Sequence, residues 1–268
     1  MNAQTRSEIA DLLARHQVTP SHRLGQHFLA DPNITRKMVG VAGVGLGSRV
    51  VEVGAGTGTL TRALCDAGAQ VVAYEVDERL RPLLEEVTVG LDVELRFEDV
   101  SKVDFARALD GVGWSMVANL PYNVGTPVLM DALRTAFNVE RFVVMVQEEV
   151  ARRFVAAPGS PDYGLPSVVA GIFTYAVLVF DVPPQVFYPP PRVDSAVVVM
   201  DRKQAPDHAE RAIALARGGF GQRRKMLRRS LASVLDDPVS ALEAAELDPT
   251  KRAEDLSPED FLSLASRT

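Results

Sequence analysis

Two spacings of apolar residues alternate along the first two-thirds of the chain. Arg49–Val53, Gln70–Val76, Val93–Phe97, Trp114–Ala118 and Phe142–Gln147 are short, β-branched-rich runs that predict strands. Between them Thr59–Ala67, Arg79–Val87 and Pro127–Phe137 repeat every three to four residues and predict helices. Pro82 falls in the first turn of its helix, where no amide donor is lost. A short amphipathic helix, Ser7–His16, and an irregular arm, Val18–Asp31, come first. Such alternation predicts an α/β domain: a mainly parallel sheet with helices on both faces and its ligand at the carboxyl ends of the strands. Ala176–Val182 and Ser195–Asp201 add two strands, joined by the proline-rich Pro183–Pro191. From about Ala205 the pattern is purely helical, with Pro238, Pro249 and Pro258 at helix starts or breaks. The expected organisation is an arm over residues 1–30, an α/β domain over 31–203 and a small all-helical domain over 204–268.

Composition narrows the class. The 268 residues are 47% hydrophobic, ample for a packed core. A single cysteine, Cys65, excludes an intrachain disulfide framework and fits a reducing compartment. Met1–Gln17 has charges and no apolar run, unlike a secretory signal. Leu165–Phe180 carries no charge over 16 residues, too short to span a bilayer, and is expected to be a buried helix running into a buried strand. A cytoplasmic protein with no membrane partner follows. With no heptad seam or exposed sheet edge in view, a monomer is expected. Net charge is −6, yet Arg217, Arg223, Arg224, Lys225, Arg228 and Arg229 lie within thirteen residues free of acids. A local field of that kind suits a polyanion better than the net charge suggests.

Candidate chemistry gathers at the predicted strand ends. Gly54, Gly56 and Gly58, in Val51-Glu52-Val53-Gly54-Ala55-Gly56-Thr57-Gly58, let a backbone approach a ligand closely. Thr59 follows where the usual dinucleotide fingerprint carries glycine. Glu75 ends the second strand, where a carboxylate can accept both hydroxyls of a ribose. Asp99 follows the third, where it can take an adenine amino group. The fourth strand leads into Asn119-Leu120-Pro121-Tyr122. The Asn119 side-chain oxygen and the Leu120 carbonyl can accept the two N–H bonds of a planar amine, turning its lone pair towards a sulfonium methyl. Pro121 stiffens the turn and donates nothing, and Tyr122 offers a stacking face for an extruded base. No strong base is needed, so the scarcity of histidine is no objection.

With these motifs the chain resembles the bacterial small-subunit ribosomal RNA adenine dimethyltransferases, the KsgA/RsmA family, along nearly its whole length. The resemblance runs through Leu24-Gly25-Gln26-His27-Phe28-Leu29, the glycine loop to Thr61, Asn119–Tyr122, Phe187–Val197, and Gln222-Arg223-Arg224-Lys225 with Leu227-Arg228. It implies a class I methyltransferase (Rossmann-like) fold with a small helical C-terminal domain. S-adenosylmethionine would be the methyl donor, S-adenosylhomocysteine the product and no metal would be required. The implied substrate is two adjacent adenosines in a hairpin near the 3′ end of 16S rRNA, in a small ribosomal subunit late in assembly. Carried over by position, His27, Leu29, Gly54, Glu75, Asp99 and Asn119 would contact the cofactor, with the arm covering it. Phe187 would pack against the target adenine opposite Tyr122, and Arg223, Arg224, Lys225 and Arg228 on a basic helix would bind RNA. His27 stands where the family usually has Asn.

Four other readings can be weighed against this one. A 23S rRNA adenine methyltransferase of the macrolide-resistance type resembles the first two-thirds, but the Val193–Val197 run and the basic helix favour the small subunit. A DNA adenine methyltransferase would need a recognition domain for which there is no room. A non-catalytic assembly factor would have little use for Glu75, Asp99 and Asn119–Tyr122. A dehydrogenase fails on the loop spacing.

Overall fold

A computed structural model describes residues 4–268. In chain order it contains α1 (Arg6–Arg15), β1 (Phe28–Leu29), α2 (Pro32–Ala42), β2 (Arg49–Val53), α3 (Thr59–Asp66), β3 (Gln70–Glu75), α4 (Arg81–Val87) and β4 (Val93–Phe97). Then come α5 (Phe105–Ala108), β5 (Trp114–Asn119), α6 (Gly125–Thr135), β6 (Val139–Gln147), α7 (Glu148–Val155), α8 (Leu165–Phe173), β7 (Thr174–Val182), β8 (Phe187–Tyr188) and β9 (Ser195–Arg202). The remainder is α9 (Ala209–Gly221), α10 (Leu227–Ser230), α11 (Pro238–Ala244) and α12 (Pro258–Ala265). Among the described residues no helix is long and apolar enough to cross a membrane.

Local chemistry explains where these elements start. Thr5 and Glu8 form a reciprocal capping box on α1, and Asp31 caps α2 ahead of Pro32. Pro82 sits in the first turn of α4, where its missing amide costs nothing. Ser257 and Asp260 repeat the capping box on α12.

The strands form a seven-stranded sheet in the order β4-β3-β2-β5-β6-β9-β7. β4, β3, β2, β5 and β6 are parallel, and β9 runs antiparallel to β6 with Met145 opposite Val197. Val50, Val51, Val117, Val143 and Val198 are fully buried, as a sheet covered on both faces requires. The order reverses between β2 and β5, which puts the switch point beside the glycine loop and the Asn119 turn. A separate two-stranded ribbon pairs β1 with β8, Phe28 opposite Tyr188 and Leu29 opposite Phe187.

The chain divides into two compact units. One contains the described residues through Ala151 together with Val177–Asp201 and carries the sheet. The other joins Arg152–Ala176 to Arg202–Thr268, so the helical part is assembled from two stretches of chain where one had been expected. Its centre is an aromatic row: Tyr163 and Phe220 are 5.9 Å apart by ring centroids, and Phe220 and Phe261 6.3 Å.

Two expectations need correction. Leu165–Phe180 does contain a buried helix, α8, but the strand that follows is not buried. β7 has only β9 for a neighbour, so its residues alternate, and Tyr175 is 68% exposed. An exposed sheet edge therefore exists. The basic run is also not one helix: α9 ends at Gly221, Gln222–Lys225 form turns, and α10 starts only at Leu227.

The Tyr163 hydroxyl donates a buried hydrogen bond to Leu256 O at 2.7 Å. Tyr163→Phe leaves that carbonyl unsatisfied and should cost about 1–2 kcal/mol, read as a lowered denaturant midpoint of the full chain. An unchanged midpoint would show that the bond contributes nothing.

Candidate active site

Three strand ends of the sheet-bearing unit meet at the switch point. After β2 the chain turns back across β3, because the amides of Gly54 and Ala55 both donate to Tyr74 O, at 2.8 and 3.0 Å. Gly54 has φ +82°, and a Cβ there would stand 3.4 Å from Pro121 Cδ. At Gly56, φ is +57° and a Cβ would meet the Phe28 ring at 2.9 Å. A side chain at either place would be strained by the positive φ, and at Gly56 it would also collide with the Phe28 ring, which is why the loop needs glycine there. Gly58 immediately precedes the first turn of α3.

The carboxylate of Glu75 is the hub of this region. Its Oε2 accepts the Gly56 amide, and its Oε1 accepts the amides of Val76 and Asp77, each at 2.9 Å. Only 7% of the residue is exposed, and burial pushes its pKa up while the three N–H donors oppose the rise. Glu52, in the middle of β2, is buried more deeply. The Thr61 hydroxyl donates to it at 2.5 Å, yet burial, reinforced by the charge of Glu75, pushes its pKa up to about 8.

Glu75 and Asp99 line a cavity of about 190 Å³ together with Val76, Val100 and Pro121. Asp99 also caps the turn after β4, its Oδ1 accepting the Ser101 hydroxyl at 2.7 Å and the Ser101 amide at 3.1 Å. These bonds hold its pKa below the usual carboxylate range. An adjoining recess brings His27, Gly54, Asn119, Leu120 and Tyr122 together. A third, under the glycine loop, is lined by Leu29, Glu52, Gly54 and Asn119 among others.

The arm crosses the mouth of these cavities and is pinned on both sides. Gln26 donates to Asp77 Oδ2 at 2.8 Å on the β3 side. Asn123 donates to Arg23 O, and Asn119 Nδ2 to His27 O, both at 3.1 Å, on the β5 side. The last bond fixes the Asn119 amide with its Oδ1 as the remaining acceptor. The Leu120 amide donates to Met145 O, and Pro121 O accepts the amides of Val124 and Gly125, so the turn runs directly into α6. The Tyr122 hydroxyl lies 2.5 Å from Ser195 Oγ, which anchors the ring.

His27 lines the recess beside Gly54 and Asn119, whereas Phe187 lies away from these cavities. The His27 imidazole turns towards the aromatic side, Nδ1 lying 2.8 Å from Pro189 O and the ring 5.4 Å from that of Tyr122. Its backbone, not its side chain, meets Asn119. Phe187 is fully buried in the core, because pairing of β8 with β1 directs successive side chains to opposite faces and turns this ring inward. It lines none of the cavities described above.

In the helical unit, Arg223 is committed to structure. Its Nε donates to Glu254 Oε2 and its Nη2 to Pro161 O, both at 2.9 Å. Arg224 and Lys225 are exposed on the turn and Arg228 is exposed on α10. Sequence reading gave no role to Gln26 and Ser195, although both lie inside motifs that carry the resemblance, and it passed over Asp77, which lies in none. Glu52 did carry a signal: an acid inside an apolar β-branched run.

The ribosomal RNA adenine dimethylase family model matches residues 19–268. The chain belongs to the ribosomal RNA adenine dimethylase family. It is 44% identical over 269 residues to the ribosomal RNA small subunit methyltransferase A of Phenylobacterium zucineum, covering 99% of this chain and 94% of that one. Among solved structures, a dimethyladenosine transferase from Plasmodium falciparum superposes with a TM-score of 0.76 at 24% identity, over 89% of this chain and 96% of that one. The 23S rRNA methyltransferase ErmE gives 0.67 at 26%, over 90% and 98%. The fold is the class I methyltransferase fold expected from the strand–helix alternation, and the methyl donor of the family is S-adenosylmethionine.

The residues present fit that donor. A cavity with a buried carboxylate at the β3 end suits vicinal hydroxyls, and the apolar walls of Val76, Val100 and Pro121 suit a flat base. Beside them lies a glycine loop whose Gly54, Gly56 and Gly58 all take positive φ, and Glu52 behind it suits an ammonium group.

Two outcomes are expected. Glu75→Ala should weaken S-adenosylmethionine binding at least about tenfold by calorimetry, since a buried charged acceptor is lost; an unchanged affinity removes Glu75 from the site. The folded chain holds a proton on Glu52 that the unfolded chain, with an ordinary carboxyl near 4.5, releases. The associated stability is fully present below about pH 4.5 and is lost as pH rises through about 8. Glu52→Gln should therefore flatten the fall in thermal midpoint between about pH 5 and pH 8. An equal slope in both proteins would refute the buried, protonated Glu52.

Proposed function

We propose that this chain dimethylates the N6 amino groups of two adjacent adenosines in a 16S rRNA hairpin of the small ribosomal subunit, late in its assembly. The observation that carries the reading is the Asn119–Tyr122 turn, held beside the glycine loop with the Asn119 amide oriented by His27 O. Near full-length similarity to a small subunit methyltransferase A supports the choice of subunit.

Bound S-adenosylmethionine supplies a methyl group on a positively charged sulfur. Everything else is positioning. Glu75 accepts the ribose hydroxyls, Asp99 takes the adenine amino group, and Glu52 with Gly54, Gly56 and Gly58 receives the amino-acid end. Leu29 closes that end from the arm side. Asn119 Oδ1 and the Leu120 carbonyl accept the two N–H bonds of the target amine and draw its nitrogen towards tetrahedral geometry. The lone pair would then face the methyl group that the bound donor would supply. Tyr122, anchored by Ser195, stacks on the flipped adenine, with the His27 ring beside it. Phe187 supports the ribbon from the core. The alkylated amine is acidic enough to lose its proton to water, so no side-chain base is assigned. Such catalysis is orientation plus electrostatics.

Arg224, Lys225 and Arg228 contact RNA phosphates in this reading, while Arg223 holds their turn in place through Glu254. The protein acts as a cytoplasmic monomer. Replacing Arg224, Lys225 and Arg228 by Ala should lower subunit affinity and flatten its dependence on salt by up to three phosphate contacts. An unaltered salt slope returns these residues to a solvated surface.

The deciding experiment incubates the protein and S-adenosylmethionine with separated, unmethylated small and large subunits, followed by nucleoside mass spectrometry. Dimethyladenosine from the small subunit alone is the expected result. Product from the large subunit would move the chain to the resistance-type reaction. No product from either, with the donor still bound, would favour a non-catalytic assembly role.

A further inference from the structure

The first turn of α1 lies ahead of the span matched by the family model, residues 19–268, and ahead of every motif used above. Two of its side chains nevertheless reach the two loops on which the site depends.

Gln4 is 4% exposed. Its Nε2 donates to Thr57 O at 3.0 Å, and its Oε1 accepts the Thr59 hydroxyl at 2.7 Å. One amide thus bridges both sides of Gly58, where α3 begins without a side-chain cap of its own. Thr57 and Thr59 are themselves buried, so without Gln4 a carbonyl and a hydroxyl would lose their bridging partner away from water.

Arg6, two residues on, reaches the other way. Its Nη2 donates to Phe187 O at 2.9 Å and its guanidinium lies 5.8 Å from the centre of the Tyr188 ring. Both contacts are to β8, the outer strand of the ribbon, and neither is to the glycine loop.

The helix between these residues is firmly seated. Thr5 and Glu8 cap it, Ile9, Leu12 and Leu13 are buried in the core, and Arg15 and His16 both bond Glu86 on α4, at 2.7 and 2.6 Å. Gln4 and Arg6 therefore project from a fixed base.

We propose that the first turn of α1 is a positioning clamp for the methyl-transfer reaction, in which Gln4 holds the glycine loop in its donor-receiving shape and Arg6 holds the β1–β8 ribbon on the target-base side. This rests on the assignment of the glycine loop to S-adenosylmethionine and of Tyr122 to the target base, beside which His27 bonds Pro189 O at the end of the ribbon. Neither residue touches a reacting atom. Their effects should separate, because Gln4 serves one loop and Arg6 the other.

The test uses full-length Gln4→Ala, Gln4→Glu, Arg6→Ala and Arg6→Lys. S-adenosylmethionine affinity is read by calorimetry, steady-state kinetics are read on unmethylated small subunits, and thermal midpoints are recorded for each. Gln4→Ala should weaken donor binding about tenfold with KM for the subunit unchanged. Gln4→Glu, which keeps the acceptor for Thr59 but loses the donor to Thr57 O, should fall between. Arg6→Ala should leave donor affinity as in the wild type and lower kcat/KM for the subunit several-fold, with Arg6→Lys partly restoring it. Wild-type values in both alanine variants overturn the clamp. So does a parallel loss of both properties in each variant that tracks the thermal midpoint, since α1 would then be only a structural support. If the wild-type protein binds no S-adenosylmethionine, the reading of the site itself fails, and the clamp with it.

Discussion

A buried carboxylate that accepts three backbone amides holds this site together. Glu75 bonds Gly56 on one side and Val76 and Asp77 on the other, so the loop after β2 and the loop after β3 share one anion. Without it, three N–H groups would need other partners and the glycine loop would lose its reference point. The arm depends on the same arrangement at one remove: Gln26 bonds Asp77, and Asp77 is gripped by Arg79 through two guanidinium contacts. The lid over the cavity is therefore fastened to the loop that Glu75 positions.

The parts legible in the sequence were those dictated by backbone requirements. A sheet buried on both faces must read as β-branched runs, and a loop whose backbone takes φ +82° and +57° must carry glycine at those places. Both signals are local, so both can be read. Asn119–Tyr122 was legible for a related reason, since a strand end, a rigid turn and an aromatic follow one another along the chain.

What escaped depended on residues far apart in sequence. Gln4 meets Thr57 across 53 positions and Arg6 meets Phe187 across 181, and neither residue type at such a distance leaves a pattern. Phe187 was matched to the target base by its place in the Phe187–Val197 run alone. Pairing with β1, invisible from spacing, decides which face of the ribbon it takes. The basic run suggested a helix by charge and apolar spacing, but three glycines from Gly218 to Gly221 allow the chain to leave α9 after Arg217 and before Arg223. β7 misled through its lack of charge: an edge strand can be apolar on its exposed side, and composition alone does not reveal how many neighbours a strand has.

Glu52 and Glu75 lie on adjacent parallel strands, and the charge of Glu75 adds to the cost of ionising Glu52. A sheet end that buries two acids this close keeps one of them protonated, and Glu52, the more deeply buried, is the one that holds the proton. An ammonium group seated against Glu52, as in the function proposed above, would draw that proton off, so the burial that makes Glu52 neutral in the free chain also makes it responsive to a cation.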